Sequence, residues 1–522
     1  MWFGCHQRGA TSGSSAIAAS SATNGKALAS GSWAPSMGRT LDPASARVKP
    51  WRSTLEGMTI ETVFAPRDRP RGICTMRCIV LIRSHEPLQE GWRKRSFGPA
   101  GPLLDNRVKV AGVRFDETYH PVQVLRRIGG GDDPPTASGF NYGAVGPAAT
   151  YAVRVEADDA GAIERLRRDR QPEIVGVFAD PAVSPFPSSY CGDAAIGAAE
   201  DVARGLGVPA LRRRGLTGGG VHVAVVDTGI DGSRIPVAGG WAPTPGYVPG
   251  STAPTHGTMV AYDVRIAAPD AQILDYALLK SQAGTWAAFL SDAIAAFADL
   301  VERVNGAPGR WVVNNSWGLF DRASDAPIGS PENYSANPDH PFNQITGALV
   351  AAGADVFFAA GNCGADCPDG RCGAGDTGPG ASIHGANSHP DVVTVAAVTV
   401  TDRHLGYSSQ GPGALYSRKP DLAGFSHFKG SGIYPADGGT SAASPVAAGV
   451  AAALRQRFAT DRLAPAQLKG LLQRTARDLG GDGWDYDLGY GVIDAAAALQ
   501  ALGVEAGLGV KPRARKRAKP AV

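Results

Sequence analysis

With 522 residues, 43% of them hydrophobic and 19% charged, the chain has the make-up of a folded protein of two or three domains rather than a disordered one. A net charge of +3 gives no footprint for a nucleic-acid partner, so none is expected. No apolar run approaches the ~18 residues of a membrane span; the longest candidate, GALVAAGADVFFAAG, is broken by Asp355 and reads as helix, turn and buried strand.

Residues 1–105 are expected to be irregular or disordered, rich first in Ser, Ala and Gly and then in basic clusters such as WRKRSFG. They hold no apolar core of signal-peptide type, and Met58 is an alternative start. Residues 106–187 predict a small α+β unit: the strand-like runs RVKVAGVRF and ATYAVRVEA, the helix pattern DAGAIERLRRD, then EIVGVFAD, with GGGDDPP as a loop inside. Two prolines and small polar residues mark SPFPSSYCGDAAIG as an exposed linker, taken as residues 188–200.

From Asp201 the pattern alternates. Buried strands are predicted at VHVAVVD (221–227), AQILDYALL (271–279), WVVNNSW (311–317), DVFFAAG (355–361) and DVVTVAAVTV (391–400). Helices fall near 257–268, 286–304 and 343–353, with more after Ser441. That alternation predicts a three-layer α/β domain over 201–503 with a mainly parallel sheet. Reactive groups in such sheets gather at the carboxyl ends of the strands. Residues 504–522, with KPRARKRAK, read as a solvated tail.

Four positions meet that placement rule. Asp227 ends the strand of VVDTGID, where a buried carboxylate needs a partner. His256 of THGTMVA starts a helix, whose positive end disfavours the imidazolium and keeps the ring able to accept a proton. In GGTSAASPVAAG, Pro445 fits a helix's first turn and sets Ser441 at the N-terminal edge, where unpaired N–H groups favour negative charge. Ser441 is therefore the expected nucleophile and Ser444 a capping or packing serine. Asn362 of AAGN closes a strand and offers a side-chain amide as second oxyanion donor beside the Ser441 N–H. Each residue alone also has an ordinary turn or structural reading; together, in the order Asp, His, Ser, they point to acyl transfer.

VVDTGID, HGTMVA, NNSWG, AAGN, GTSAASPVAAG and the closing GYGVIDAAAAL make the chain resemble the subtilisin-like (subtilase, S8) serine peptidases over roughly residues 200–503. The resemblance implies Ser441 as nucleophile, His256 as general base and then acid, and Asp227 orienting the ring, with Asn362 and the Ser441 N–H holding the oxyanion. It implies a substrate groove lined by Ser316, Trp317 and Gly318 and by Ala359, Ala360 and Gly361, pairing with an extended peptide. Trp317 is bulkier than usual there and either narrows the pockets or belongs to the core. Residues 106–187 resemble the family's inhibitory propeptide, with processing expected in the 188–200 linker.

Of seven cysteines, Cys191, Cys363, Cys367 and Cys372 are disulfide candidates, with three possible pairings. Their spacing is no zinc pattern, so no metal is expected, and no cofactor for catalysis; a structural calcium has no support in the sequence. The expected function is a serine endopeptidase made as a zymogen, acting on polypeptides and held by its own propeptide. Alternatives are a dedicated peptide-maturation or transamidating subtilase and an inactive peptide-binding module. The zymogen-like layout and the cysteines suggest secretion, with a cytoplasmic location as the alternative.

Overall fold

A five-residue apolar run between arginines, in MRCIVLIRS, forms the middle of the first sheet. This strand, β1 (Met76–Ser84), corrects the expectation that residues 1–105 are irregular throughout. The run is too short and too uniformly apolar to show strand alternation, because it is covered on both faces. The computed structural model describes residues 76–84, 110–116, 118–124, 149–168, 174–186, 194–280, 286–480 and 483–503. The rest of 1–105, residues 187–193 and the tail lie outside these. Contact density divides the chain into residues 7–73 and a second unit of 1–6 and 74–522, which holds every described residue.

In the N-terminal part, β1 pairs antiparallel with β4 (Ala149–Ala157) on one side and β5 (Ile174–Ala179) on the other. Strands β2 (Val113–Phe115) and β3 (Val122–Val124) both pair with β4, completing a five-stranded sheet. Helix α1 (Ala160–Arg168) buries Ile163 and Leu166 against Cys78, Val80 and Ile82. Ile79 and Ala152 point the other way, into the apolar cluster of the larger domain. Strand β6 (Ala182–Pro185) then leaves the sheet.

The larger domain begins earlier than the 188–200 linker predicted. Residues 196–199 dock on 427–429, the Ile196 N–H donating to the His427 carbonyl at 2.8 Å and the Ala199 N–H to that of Lys429 at 3.0 Å. Helices α2 (Ala199–Gly205) and α3 (Val208–Arg212) follow. Next come β7 (His222–Val226), β8 (Gly240–Trp241), α4 (His256–Ala267), β9 (Gln272–Tyr276), β10 (Ala288–Phe289), α5 (Leu290–Gly306), β11 (Trp311–Asn315) and β12 (Trp317–Gly318). The chain continues through α6 (Pro341–Ala351), β13 (Ala354–Ala359), β14 (Val393–Val398), β15 (Leu422–Phe425), α7 (Thr440–Arg455), α8 (Pro465–Arg474) and α9 (Ala495–Ala501).

Seven of these strands form one sheet in the order β15-β14-β13-β11-β7-β9-β8, every pairing parallel. Alternation in β7 explains the layers. Val223 and Val225 pack with α4 and α7, whereas Ala224 and Val226 pack with α5 and α6. The expected three-layer α/β architecture is therefore present. Among the described residues no helix is long and apolar enough to cross a membrane.

Buried polar contacts join the N-terminal sheet to α5 and α6. Asp180 accepts from the Ser291 N–H at 2.8 Å and its Oγ at 2.7 Å, satisfying a donor at the start of α5. Arg154 donates to Ser291 Oγ at 2.7 Å and pairs with Asp292. Fully buried His340 accepts the Phe342 N–H on Nδ1 at 3.2 Å and donates from Nε2 to the Ala179 carbonyl at 3.0 Å.

That geometry needs a neutral ring, and burial holds its pKa down at about 4. The unfolded chain protonates His340 near pH 6.5. Its contribution is thus complete above pH 6.5 and is lost as pH falls from there towards 4, roughly 3 kcal/mol in all. Unfolding measured in the Ser441→Ala background is expected to show this extra acid sensitivity. His340→Gln, which keeps an acceptor and a donor but does not titrate, is expected to remove it.

Candidate active site

Asp227 directly follows β7, its N–H donating to the Tyr276 carbonyl at 2.9 Å, so its carboxylate sits at the carboxyl edge of the sheet. His256 is the first residue of α4. Nδ1 of His256 and Oδ1 of Asp227 lie 2.8 Å apart, with both residues buried. A carboxylate at Nδ1 holds the proton there and leaves the Nε2 lone pair free; Nε2 is buried and has no hydrogen-bond partner. Two turns further along α4, burial and the neighbouring Asp437 carboxylate push the pKa of the fully buried Asp263 well up. Both effects favour the neutral form of this carboxyl.

Ser441 is the second residue of α7, and Pro445 lies one turn deeper than the first-turn position expected. The proline has no N–H for the Ser441 carbonyl, and Ser316 Oγ donates to that carbonyl instead at 3.0 Å. Helices α4 and α7 pack against each other. A side chain on Gly449 would collide with the Val264 carbonyl, and these residues stand eight positions after Ser441 and His256 respectively. Ser444 points elsewhere, its Oγ donating to Asn314 Oδ1 at 2.8 Å inside the domain.

A peptide segment already lies against Ser441 and Asn362. Strand β6 lies between β12 and β10, with Pro185 opposite Trp317, Ser184 opposite Gly318, and Val183 and Ala182 opposite Ala288 and Phe289. The next residue, Phe186, donates its N–H to the Ser316 carbonyl at 3.1 Å. Its own carbonyl accepts from Ser441 Oγ at 2.7 Å and from Asn362 Nδ2 at 3.2 Å. Ser441 Oγ also lies 3.1 Å from the Ser316 carbonyl, and makes no hydrogen bond with His256 while it faces Phe186. The Ser441 N–H, expected as an oxyanion donor, makes no hydrogen bond to this carbonyl; the hydroxyl stands in that place.

Thr440 was not singled out from the sequence. Its N–H and Oγ1 donate to Asn362 Oδ1 at 2.9 and 3.0 Å, which orients the amide so that Nδ2 faces Phe186. Asn387 was missed as well; its Nδ2 donates to the Trp317 and Ala359 carbonyls, both at 2.9 Å, and so ties the two groove segments together. The only signal for Thr440 was its place beside Ser441 at a helix start; nothing local marks Asn387.

The Phe186 ring lies 4.8 Å from that of Phe320 and packs on Ala359 and Cys363. Gly318 forms the base of this pocket, since any side chain there would strike the Phe186 ring. The disulfide Cys363–Cys372 forms a wall, and Cys367 is disulfide-bonded too; Cys191 lies outside the described residues. Trp317 is a core residue, fully buried against Phe342 and Phe358, and does not narrow the groove. Ala360 and Gly361 require correction. Their N–H groups donate to the Val395 carbonyl and to Thr440 Oγ1, so the second rail beside the peptide is Ala288–Phe289.

A parallel α/β sheet with a histidine–aspartate pair at its carboxyl edge, and a serine and an amide converging on a peptide carbonyl, has the layout of a serine peptidase. The subtilase family model matches residues 218–491. Subtilisin of Bacillus pumilus is 28% identical over 302 residues, spanning 56% of this chain and 95% of its own length. Subtilisin E of Bacillus subtilis is 28% identical over 304 residues, 56% of this chain and 69% of its own. Fervidolysin of Fervidobacterium pennivorans is 29% identical over 319 residues, 54% of this chain and 41% of its own. A crystal structure of a lanthipeptide protease covers 59% of this chain and 99% of its own at 20% identity, with a TM-score of 0.43. The chain belongs to the subtilase family and is a serine-type endopeptidase.

Proposed function

We propose that the protein cleaves polypeptides through an acyl-enzyme on Ser441 and is made as a zymogen whose residues 76–186 form the inhibitory prosegment. The observation that carries this reading is the convergence of Ser441 Oγ and Asn362 Nδ2 on the Phe186 carbonyl of a chain paired as an added strand. With a substrate in place of residues 182–186, the Ser441 hydroxyl passes its proton to His256 Nε2 and attacks the carbonyl carbon. Asp227 keeps the ring oriented and stabilises the imidazolium. Asn362 takes the developing oxyanion, its amide held by Thr440. His256 then returns the proton to the leaving amine, and water repeats the sequence to release the acid product.

Seated this way, the prosegment blocks the groove. Phe186 is followed by Pro187, so the bond in register with Ser441 is a tertiary amide whose leaving nitrogen carries a ring carbon in place of hydrogen. That bond is held rather than cut, and maturation falls downstream in 188–200, of which residues 188–193 lie outside the described residues.

The test uses the purified full chain, allowed to mature. The active form is expected to start within 189–201, and to cut internal bonds after Phe or another large aromatic residue in a peptide mixture read by mass spectrometry. A homogeneous, folded chain that matures yet hydrolyses no peptide would overturn the proposal.

A further inference from the structure

Arg371 lies inside the loop closed by the Cys363–Cys372 disulfide, and its guanidinium is held from several sides. Nε and Nη2 donate to the two carboxylate oxygens of Asp369, each at 2.9 Å, and the guanidinium carbon sits 3.8 Å from the centre of the Phe320 ring. Asp369 is itself buried, and its N–H donates to the Asn362 carbonyl at 2.8 Å, which ties the loop to the oxyanion asparagine. With its arginine exposed to solvent, an Arg–Asp pair two residues apart contributes little to stability by itself. Here its consequence is to aim the remaining nitrogen. Nη1 donates to the Pro185 carbonyl at 3.0 Å and to Ser184 Oγ at 3.2 Å, the two residues just before Phe186.

We propose that Arg371 is a specificity-determining residue of the peptidase. It binds the carbonyl of the residue preceding the aromatic one, and selects an acceptor side chain, hydroxyl or carboxylate, one residue further back. The inference rests on reading residues 182–186 as the stand-in for substrate. Hydrogen bonds from a charged donor are the stronger kind, and a forked guanidinium grips Asp369 while still donating into the groove. A lysine ammonium in the same place is a point charge without that fork. The disulfide makes the arrangement local: the same short loop walls the aromatic pocket with Cys363 and Cys372 and presents Arg371 to the next two residues.

The active form is assayed on peptides that differ only two positions before the aromatic residue, carrying Ser, Asp or Ala there. Wild type is expected to favour Ser and Asp over Ala by about tenfold in kcat/KM. Arg371→Ala brings both ratios to about one, mainly through KM, while kcat and fluorophosphonate labelling of Ser441 persist. Arg371→Lys loses the preference for Ser and keeps part of that for Asp. Either variant retaining the full wild-type preference would overturn the inference, as would a wild type with none. If wild type neither hydrolyses peptides nor labels at Ser441, the peptidase reading itself falls, a result distinguishable from failure of the Arg371 assignment alone.

Discussion

Ser441→Ala is expected to lower kcat by about a million-fold without loss of fold, because the nucleophile and its base act as one unit. The side chain is buried and small, and its hydroxyl donates only to the Phe186 and Ser316 carbonyls. Removing it takes away the attacking atom while leaving the packing of α7 almost unchanged. The remaining activity reflects Asn362 and groove binding alone. Steady-state hydrolysis of a Phe-containing peptide measures the loss, with the unfolding midpoint as the control. Ser444→Ala removes only a bond to Asn314 and is expected to stay within a few-fold of wild type in kcat. A near-wild-type Ser441→Ala enzyme would refute the assignment.

Asp227→Asn is expected to cost about ten-thousand-fold in kcat, with KM little changed. The carboxylate sits 2.8 Å from His256 Nδ1 and accepts a hydrogen bond from its N–H. An amide at that position can present its NH₂ to Nδ1, which moves the ring proton to Nε2 and removes the lone pair that must accept from Ser441. The charge that stabilises the imidazolium disappears as well. The loss should ease at high pH, where hydroxide supplies the missing base. An unchanged kcat in this variant would mean that His256 is oriented by something other than Asp227.

How far the sequence discloses this arrangement depends on how local each signal is. Asp227, His256 and Ser441 stand where the chain switches abruptly, at a strand end or a helix start, and such switches are visible in apolar runs and in Pro445. The parallel sheet is legible for the same reason: β7, β9, β11, β13 and β14 are apolar runs separated by helices. Thr440, Asn387 and Arg371 matter through partners 78, 28 to 70, and 186 to 187 residues away in the chain, so no window around them carries the information. Strand β10 is two residues long and becomes an edge only because β6 lies against it. The same holds for β1, whose short run becomes the middle strand once β4 and β5 flank it. Trp317 illustrates the opposite difficulty. Its backbone belongs to the groove and its side chain to the core, a division that sequence position alone does not reveal.

Everything turns on which hydroxyl attacks. Treating the matured enzyme with a fluorophosphonate, digesting it and mapping the modified residue by mass spectrometry answers this directly. The account predicts one adduct, on Ser441, formed in step with loss of peptide hydrolysis. An adduct on Ser444, Ser316 or another residue, or complete inactivation with Ser441 unmodified, would contradict it.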